Sequence, residues 1–307
     1  MHRLFLLRAY GDFVILLQAL LESPQKNKYS LIASNHLELL YQELALVIDL
    51  SSIQIQFINF GITNTQLSLF TNKHILILNV LNELKQIKNF VKQNPNQEGQ
   101  DYIEQDKRIG LFNAITGLNF NSIISAEPVY STYAKFFENP AIKKEISKEE
   151  GKSENKAENI QDTKESEILN NKLNSKKVLL FPDTRQAKKN IPSSLINKLE
   201  NEIASKGYTL EIAYFKQVPD FATTNDEKGA SAKNNKVVYA NFKTLIQLII
   251  DAELILGADS LPIHLAYLLK KSHYILYPNG YPQLFMTPYA QINNRFGTFD
   301  HYNFSFL

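Results

Sequence analysis

Residues Leu254–Leu269 read LILGADSLPIHLAYLL and carry three successive signals. The apolar run at the start ends in glycine and is typical of a buried strand. Asp259 and Ser260 form a tight turn, and Pro262 opens an apolar helix for which Ser260 is the predicted N-cap. Such a helix points free N–H groups toward the carboxyl edge of the strand, where phosphate binds readily. The stretch is therefore either a β–turn–α corner that faces a phosphate or an ordinary one in which His264 makes its hydrogen bonds within the protein.

The composition narrows the class of protein. With 307 residues, 44% of them apolar, the chain is long enough for about two domains with sizeable cores. The formal charge of +2 gives no reason to expect nucleic acid as a partner, and the absence of cysteine excludes disulfides and thiolate chemistry. The N-terminal apolar run is too short for a signal peptide, and no segment reaches the ~18–20 apolar residues of a membrane span. We expect a soluble cytoplasmic protein, with at most peripheral association with the inner face of the membrane.

Strand and helix patterns alternate through both halves of the chain. Strands are predicted at Leu4–Leu7, Tyr29–Ala33, Ile53–Phe60, Ile75–Leu78, Arg108–Phe112, Lys177–Phe181, Thr209–Phe215, Val237–Tyr239, Leu254–Ala258 and Ser272–Tyr277. Helices are predicted at Phe13–Leu21, His36–Leu46, Val80–Val91, Ser131–Glu138, Phe242–Ile250 and after Ile191–Ser194, and polar loops at Arg8–Asp12, Asn94–Gln105 and Lys216–Asn235. Because strands that alternate with helices form βαβ units, we predict an α/β fold with parallel sheets and helices on both faces.

A charged segment interrupts this alternation at residues Asn139–Lys176. Lysine and glutamate alternate there with serine and asparagine, so almost nothing in the segment could enter a core. The balanced signs of charge favour a solvated spacer over an interaction tail. We therefore predict an N-terminal domain over 1–138, a flexible linker over 139–176 and a C-terminal domain over 177–307.

Two groups of polar residues follow predicted strands. Asp12 comes after the first strand, where its carboxylate is placed either to act as a general base or to cap the following helix. Arg185, Lys188 and Lys189 lie in the loop after the strand that ends at Phe181. In a parallel sheet that loop shares an edge with the Asp-Ser turn, so cations and N–H donors suited to a diphosphate converge, although a merely solvated loop is the alternative.

Several common site motifs are missing. The sequence has no G-x-G-x-x-G after a strand, no G-x-x-x-x-G-K-[ST], no H-E-x-x-H and no G-x-S-x-G. These absences argue against a dinucleotide site, a P-loop, a catalytic zinc and a serine-hydrolase elbow. We expect no metal and no cofactor.

Five segments together form a recognisable series. They are Leu6–Asp12, Arg108–Leu111, Phe181–Pro192, Asp251–His264, and Tyr277–Asn279 with Met286–Tyr289. In their order and spacing they resemble glycosyltransferase family nine, the heptosyltransferase-like enzymes of bacterial cell-surface polysaccharide assembly such as that of lipopolysaccharide. The most specific element is Asp-Ser-x-Pro-x-His-Leu-Ala, and the resemblance covers most of the chain except the linker.

This resemblance implies the GT-B architecture, two Rossmann-like doubly wound domains facing each other across a cleft. It implies an inverting, metal-independent glycosyltransferase that moves a heptose or related sugar from a nucleotide-sugar donor, held by the second domain, to a cell-surface glycan or lipid-linked acceptor. By resemblance, Asp12 would be the general base, with Gly11 beside it on the acceptor side, and Lys189 would neutralise the departing diphosphate together with the helix after Ser260. The implied donor-binding set is Thr184, Arg185, Lys189, Asp259, Ser260, Leu261 and His264.

Departures from the family pattern motivate an alternative. Leu261 stands where the family has the glycine of Asp-Ser-Gly-Pro, and Asp183 adds negative charge to the loop after the strand. Both favour a catalytically degenerate GT-B protein that binds a glycan or a protein partner. A related sugar-nucleotide epimerase is a third hypothesis, for which no motif of its own is present.

Overall fold

The computed structural model describes residues 1–6, 10–59, 85–96, 99–103, 113–114, 117–122, 129–137, 176–215 and 235–307. These residues form two parallel β-sheets flanked by helices, which confirms the predicted α/β class. The predicted strands Ile75–Leu78 and Arg108–Phe112 lie outside the described residues, as do the charged linker before Lys176 and the polar loop that follows Phe215.

The first sheet has five strands in the order β3-β2-β1-β4-β5, with every neighbouring pair parallel. Its strands are β1 (His2–Leu6), β2 (Tyr29–Ser34), β3 (Gln54–Ile58), β4 (Asp101–Ile103) and β5 (Asn121–Ser122). Its helices are α1 (Tyr10–Glu22), α2 (Glu38–Ala45) and α3 (Val129–Phe136), and residues 85–93 are also helical. Leu40 and Leu44 of α2, and Leu37 directly before it, are fully buried.

The second sheet has six strands in the order β11-β10-β9-β6-β7-β8, again all parallel. Its strands are β6 (Lys177–Phe181), β7 (Thr209–Phe215), β8 (Asn235–Tyr239), β9 (Leu254–Ala258), β10 (His273–Tyr277) and β11 (Phe296–Thr298). Its helices are α4 (Ser193–Ser205), α5 (Phe242–Asp251), α6 (Leu261–Leu268) and α7 (Pro288–Ile292). This order places β9 beside β6, so the loops that follow them are neighbours at the carboxyl edge of the sheet.

Three expectations about local structure are wrong. The turn predicted at Arg8–Asp12 is helical from Tyr10 onward, because an acidic residue in the first turn of a helix is stabilised by the helix dipole. The loop predicted at Asn94–Gln105 contains strand β4. Asn35–Leu37, at the start of the predicted second helix, is a 3₁₀ turn.

Two buried polar contacts support the sheets. Arg3 of β1 donates two hydrogen bonds of 2.7 Å to the carboxylate of Asp101 on β4. His273 of β10 has no exposed surface, and its Nε2 lies 2.6 Å from the hydroxyl of Thr287. Burial lowers the pKa of the His273 imidazole to about 4, so the ring is neutral in the folded protein near pH 7.

One hydrophobic cluster runs through both halves of the molecule. It contains buried side chains of β1 and α1 from the first half and of β6, β9 and α6 from the second. The two halves meet where α1 packs against α6 and where α2 packs against α5. The core is therefore continuous across the boundary between the two sheets. No helix in the described part of the chain is long and apolar enough to cross a membrane.

Candidate functional site

The predicted acid–base residue lies where the two halves meet. Asp12 is in the first turn of α1, partly exposed, and Gly11 precedes it. Gly11 faces α6 so closely that a Cβ atom at this position would lie 3.4 Å from Cδ2 of His264. The packing of α1 on α6 thus brings the Gly11-Asp12 segment of the first half against the Asp259–His264 segment of the second.

Charged side chains of the second half of the molecule act on the Asp12 carboxyl. Burial raises the pKa of the Asp12 carboxyl above its ordinary value. His264, Arg185 and Lys189 act in the opposite direction, whereas the nearby Asp259 carboxylate adds to the increase. A carboxyl group whose pKa is raised by burial is the type of group that accepts a proton in catalysis.

The loop after β6 is shaped by its own side chains. The backbone N–H of Thr184 donates to Oδ1 of Asn190 at 2.8 Å, and the Thr184 hydroxyl donates to the carbonyl of Gln186 at 2.7 Å. The backbone N–H of Ile191 donates to the carbonyl of Pro182 at 2.9 Å and closes the loop. Thr184 therefore sets the conformation of the loop, while the side chain of Arg185 is exposed.

Lys189 ends this loop and enters a buried chain of polar groups. Its Nζ lies 2.8 Å from Oδ2 of Asp259, and the two side chains are only 10% and 3% exposed. The other oxygen of Asp259, Oδ1, lies 3.4 Å from Nε2 of His264. Nδ1 of His264 in turn lies 3.0 Å from the hydroxyl of Tyr130 on α3. Four residues from three segments of the chain are thus linked in one buried series.

Asp259 is held as a carboxylate by these contacts. Burial acts to raise the pKa of the Asp259 carboxyl, but the hydrogen bonds and charges of His264 and Lys189 outweigh burial and leave the pKa below its ordinary value. The charge of Lys189 is therefore already compensated inside the protein. Its Nζ also lies 5.0 Å from the ring centre of Tyr281 and 5.7 Å from that of Phe285, distances at which a cation is attracted to an aromatic face.

Helix α6 begins as predicted, but its cap differs. Ser260 is the N-cap residue, yet its hydroxyl donates to the carbonyl of Ala258 at 3.1 Å and accepts no helical N–H. The N–H groups of the first turn are consequently not covered by this side chain. Leu261, the first helical residue, is partly exposed, packs against the shared core and has no left-handed φ, so leucine is accommodated here without backbone strain.

Asp183 lies at the β6 end of the loop that contains Thr184 and Lys189. Its side chain is exposed at the end of β6, and burial of part of the carboxyl raises its pKa. The Asp183 charge acts on Tyr214 of β7 and Tyr239 of β8, where it adds to the increase that burial causes in the pKa of each phenol. The negative charge that departs from the family pattern is therefore turned toward the β7–β8 side of the sheet.

The structure brings most of the residues singled out in the sequence into one place. Asp12, Arg185, Lys189, Asp259 and His264 interact electrostatically, whereas Thr184 and Ser260 contribute through the backbone shape of their loops. Sequence reasoning missed Tyr130, because nothing in the local pattern of its helix marks one tyrosine as a partner of a histidine 134 positions away. Within the described residues, no three His, Asp or Glu side chains are placed to share a metal ion.

Comparisons with known proteins identify the family that the chain resembles. The model of glycosyltransferase family 9 (heptosyltransferase) matches residues 127–303. A comparison with curated proteins finds no match.

Solved structures share the fold at low sequence identity. Escherichia coli heptosyltransferase WaaC with ADP-2-deoxy-2-fluoro heptose is 11% identical, with a TM-score of 0.51 over 92% of this chain and 90% of that one. E. coli ADP-heptose LPS heptosyltransferase II is 12% identical, with a TM-score of 0.52 over 97% and 89%. The glycosyltransferase family 9 protein of Veillonella parvula is 10% identical, with a TM-score of 0.53 over 97% and 86%. The two sheets therefore form a GT-B fold, and, since the family model spans more than half of the sequence, the chain belongs to glycosyltransferase family 9, the heptosyltransferase family.

Proposed function

We propose that the protein transfers a heptose or related sugar from a nucleotide sugar to a glycan or lipid-linked acceptor, with inversion at the anomeric carbon and without a metal ion. The observation that carries this proposal is the position of Asp12. Its carboxylate projects from the first half of the molecule into the charged surroundings formed by Arg185, Lys189 and His264 of the second half. A base on one side and cations on the other are what a sugar transfer needs, since the acceptor loses a proton while the donor loses a diphosphate.

In this proposal the acceptor hydroxyl gives its proton to Asp12 and attacks the anomeric carbon of the donor. The bond from that carbon to the diphosphate breaks, and the leaving group is neutralised by Lys189, Arg185 and the N–H groups at the start of α6. Asp259 and His264 hold Lys189 and the helix start in place. Thr184, Ser260 and Leu261 line the donor side, and Gly11 lets α1 approach α6 closely. We place this reaction in the cytoplasm, with the protein at most peripherally attached to the inner face of the membrane.

A panel of nucleotide sugars tests the donor half of the proposal. ADP-heptose comes first, because a sugar analogue of that type is present in the WaaC structure, and uridine and guanosine diphosphate sugars follow. A donor at 100 times its dissociation constant should add about 2.7 kcal/mol to the free energy of unfolding. That corresponds to a rise in melting temperature of roughly 4 °C for a chain of this size. If no donor shifts the melting temperature, the transferase proposal fails and the non-catalytic binding protein becomes the better account.

Substitution of Asp12 tests the catalytic half. Asp12→Asn keeps the size and polarity of the side chain but removes the base, so turnover should fall by at least about 10²-fold. The thermal shift with the donor should persist. Turnover is measured as release of the nucleoside diphosphate in the presence of a detergent-dispersed lipid-linked glycan. Glu38→Gln, an exposed acidic residue in the first turn of α2, is the matched control and should retain turnover. Retained turnover in Asp12→Asn would remove Asp12 from its role.

A further inference from the structure

Tyr130 is a buried tyrosine whose hydroxyl is directed at the site from a third segment of the chain. It lies in the first turn of α3, is 3% exposed, and its hydroxyl oxygen is 3.0 Å from Nδ1 of His264. Helix α3 packs against α1, the helix that carries Asp12. Tyr130 thus connects the element beside the Asp12 helix with the residues around Lys189.

The chemistry of the partners fixes the direction of the hydrogen bonds. Asp259 is a carboxylate, and its Oδ1 only accepts, so the His264 nitrogen facing it at 3.4 Å, Nε2, must carry the hydrogen. When the imidazole is neutral, its other nitrogen, Nδ1, presents a lone pair. The Tyr130 hydroxyl, whose pKa burial raises well above its ordinary value, remains protonated and donates to that lone pair.

We propose that Tyr130 is a positioning residue of the donor site. Its hydroxyl fixes the orientation of the His264 ring through Nδ1, so that Nε2–H stays directed at one oxygen of Asp259, and the other oxygen of Asp259 places Lys189 where the diphosphate of a nucleotide sugar binds. The identity of the ligand rests on the proposed function, whereas the effect on the ring of His264 does not.

A second contact strengthens the link between α3 and Lys189. The backbone N–H of Val129 donates to the carbonyl of Leu284 at 2.8 Å. Leu284 directly precedes Phe285, whose ring lies 5.7 Å from Lys189 Nζ. The start of α3 therefore supports Lys189 from two directions, through the polar series and through the aromatic segment that borders the amine.

Loss of the Tyr130 hydroxyl has a defined consequence. Nδ1 of His264 would be left buried without this donor, and the ring would be fixed only through Nε2. The ring can then turn about its side-chain bonds, and the contact from Nε2–H to Asp259 is weakened. The Asp259 carboxylate consequently attracts the Lys189 amine more strongly, and the amine becomes less available to a diphosphate. The Michaelis constant for the donor should rise, and kcat should fall as well, because Lys189 also neutralises the departing diphosphate.

Tyr130→Phe tests the proposal because it removes the hydroxyl and keeps the ring contact with Tyr267, whose ring centre is 5.4 Å away. Long-range ¹H–¹⁵N spectra of the imidazole groups at pH 8 report whether each ring nitrogen carries hydrogen or accepts a hydrogen bond, and the signals of His264 are identified by their loss in His264→Gln. We expect hydrogen on Nε2 in both proteins, and in Tyr130→Phe we expect the ¹⁵N signal of Nδ1 to move to the position of a lone pair without a hydrogen bond. We expect a roughly tenfold rise in the Michaelis constant for ADP-heptose or whichever nucleotide sugar binds. Tyr133→Phe, a fully buried tyrosine one turn along the same helix, is the control and should change neither.

Double substitution separates positioning from a general loss of stability. Tyr130→Phe should add nothing to the donor defect of His264→Gln, because both act through the same ring. An unchanged Nδ1 signal of His264 in Tyr130→Phe overturns the proposal, and so does a changed signal with unchanged donor affinity or an additive defect in the double variant. If the unsubstituted protein binds no nucleotide sugar, the proposed function fails, and the comparison of the Nδ1 signals still decides whether Tyr130 holds the ring of His264.

Discussion

Removal of the Lys189 amine is the sharpest test of the buried ion pair. Lys189→Met keeps the aliphatic stem beside the rings of Tyr281 and Phe285 and deletes only the charge. The partner, Asp259, is 3% exposed and would keep a single neighbour, His264. Breaking a buried pair in this way costs about 3–5 kcal/mol, because the remaining charge stays in a medium of low polarity. We expect a loss of that size in the free energy of unfolding.

Urea unfolding is the appropriate assay. The chain has no tryptophan but 15 tyrosines, so tyrosine fluorescence and far-UV circular dichroism are the two probes, and coincident transitions are required before a free energy is extracted. Lys188→Met is the matched control. Lys188 is exposed, with its Nζ 5.3 Å from the ring of Tyr281, and its loss should cost no more than about 0.5–1 kcal/mol.

A double-mutant cycle with Asp259→Asn isolates the pair. If the pair is formed in solution, the second substitution should recover part of the loss caused by the first, with a coupling free energy of about 2 kcal/mol. A fall in pH should also lower the free energy of unfolding, because it protonates the Asp259 carboxylate. Because the pKa of the folded Asp259 carboxyl is below its ordinary value, its contribution is present above the unfolded pKa of about 3.9 and is lost as the pH falls through the folded value. A cost for Lys189→Met below 1 kcal/mol at an unchanged m-value, or a coupling of zero, would refute the buried pair.

Two further predictions concern stability away from the site. Arg3→Met should lower the free energy of unfolding by about 3 kcal/mol, since Arg3 and Asp101 are 11% and 14% exposed. Lys177→Met, whose partner Glu211 is 22% exposed, should cost about 1 kcal/mol or less, and equal losses in the same urea titrations would contradict the difference in burial. His273 is neutral in the folded state, so its contribution is complete above the unfolded pKa of about 6.5 and is lost as the pH falls through the folded value of about 4. The free energy of unfolding should fall by about 3 kcal/mol as the pH falls across this window. In His273→Gln this dependence on pH should be weaker. If it is the same in the variant, the ring is already protonated in the folded protein across this window.

Continuous apolar runs were predictable from the sequence alone. The predicted strands Lys177–Phe181 and Thr209–Phe215 coincide with β6 and β7, and the predicted helix Phe242–Ile250 differs from α5 by one residue. Such segments are buried on one or both faces, so their pattern already specifies where they lie. Strand β4 was not predictable, because it has only three residues and begins with an aspartate. Its position depends on Arg3, 98 residues earlier, and no local pattern records that contact.

The candidate site was likewise predictable only where it depends on local sequence. The residues of the Asp-Ser-x-Pro-x-His element and of the loop after β6 were found from their place at the ends of strands, which is a local property. Their partners were not found. The pairing of Lys189 with Asp259 across 70 residues was not predicted, and the Ser260 hydroxyl turns to a carbonyl instead of capping α6. Both depend on which groups the fold brings together, and spacing along the chain does not contain that information.

The core shared by α1 and α6 limits how the two halves of the molecule can move. Swinging them apart would expose to water side chains that are now covered, at a cost of about 1.5–3 kcal/mol for each large one. Sliding of one helix along the other keeps these side chains covered while it changes the distance from Asp12 to Lys189. Motion in this protein is therefore expected to be a shear of packed helices, small in amplitude, and not the opening of a hinge.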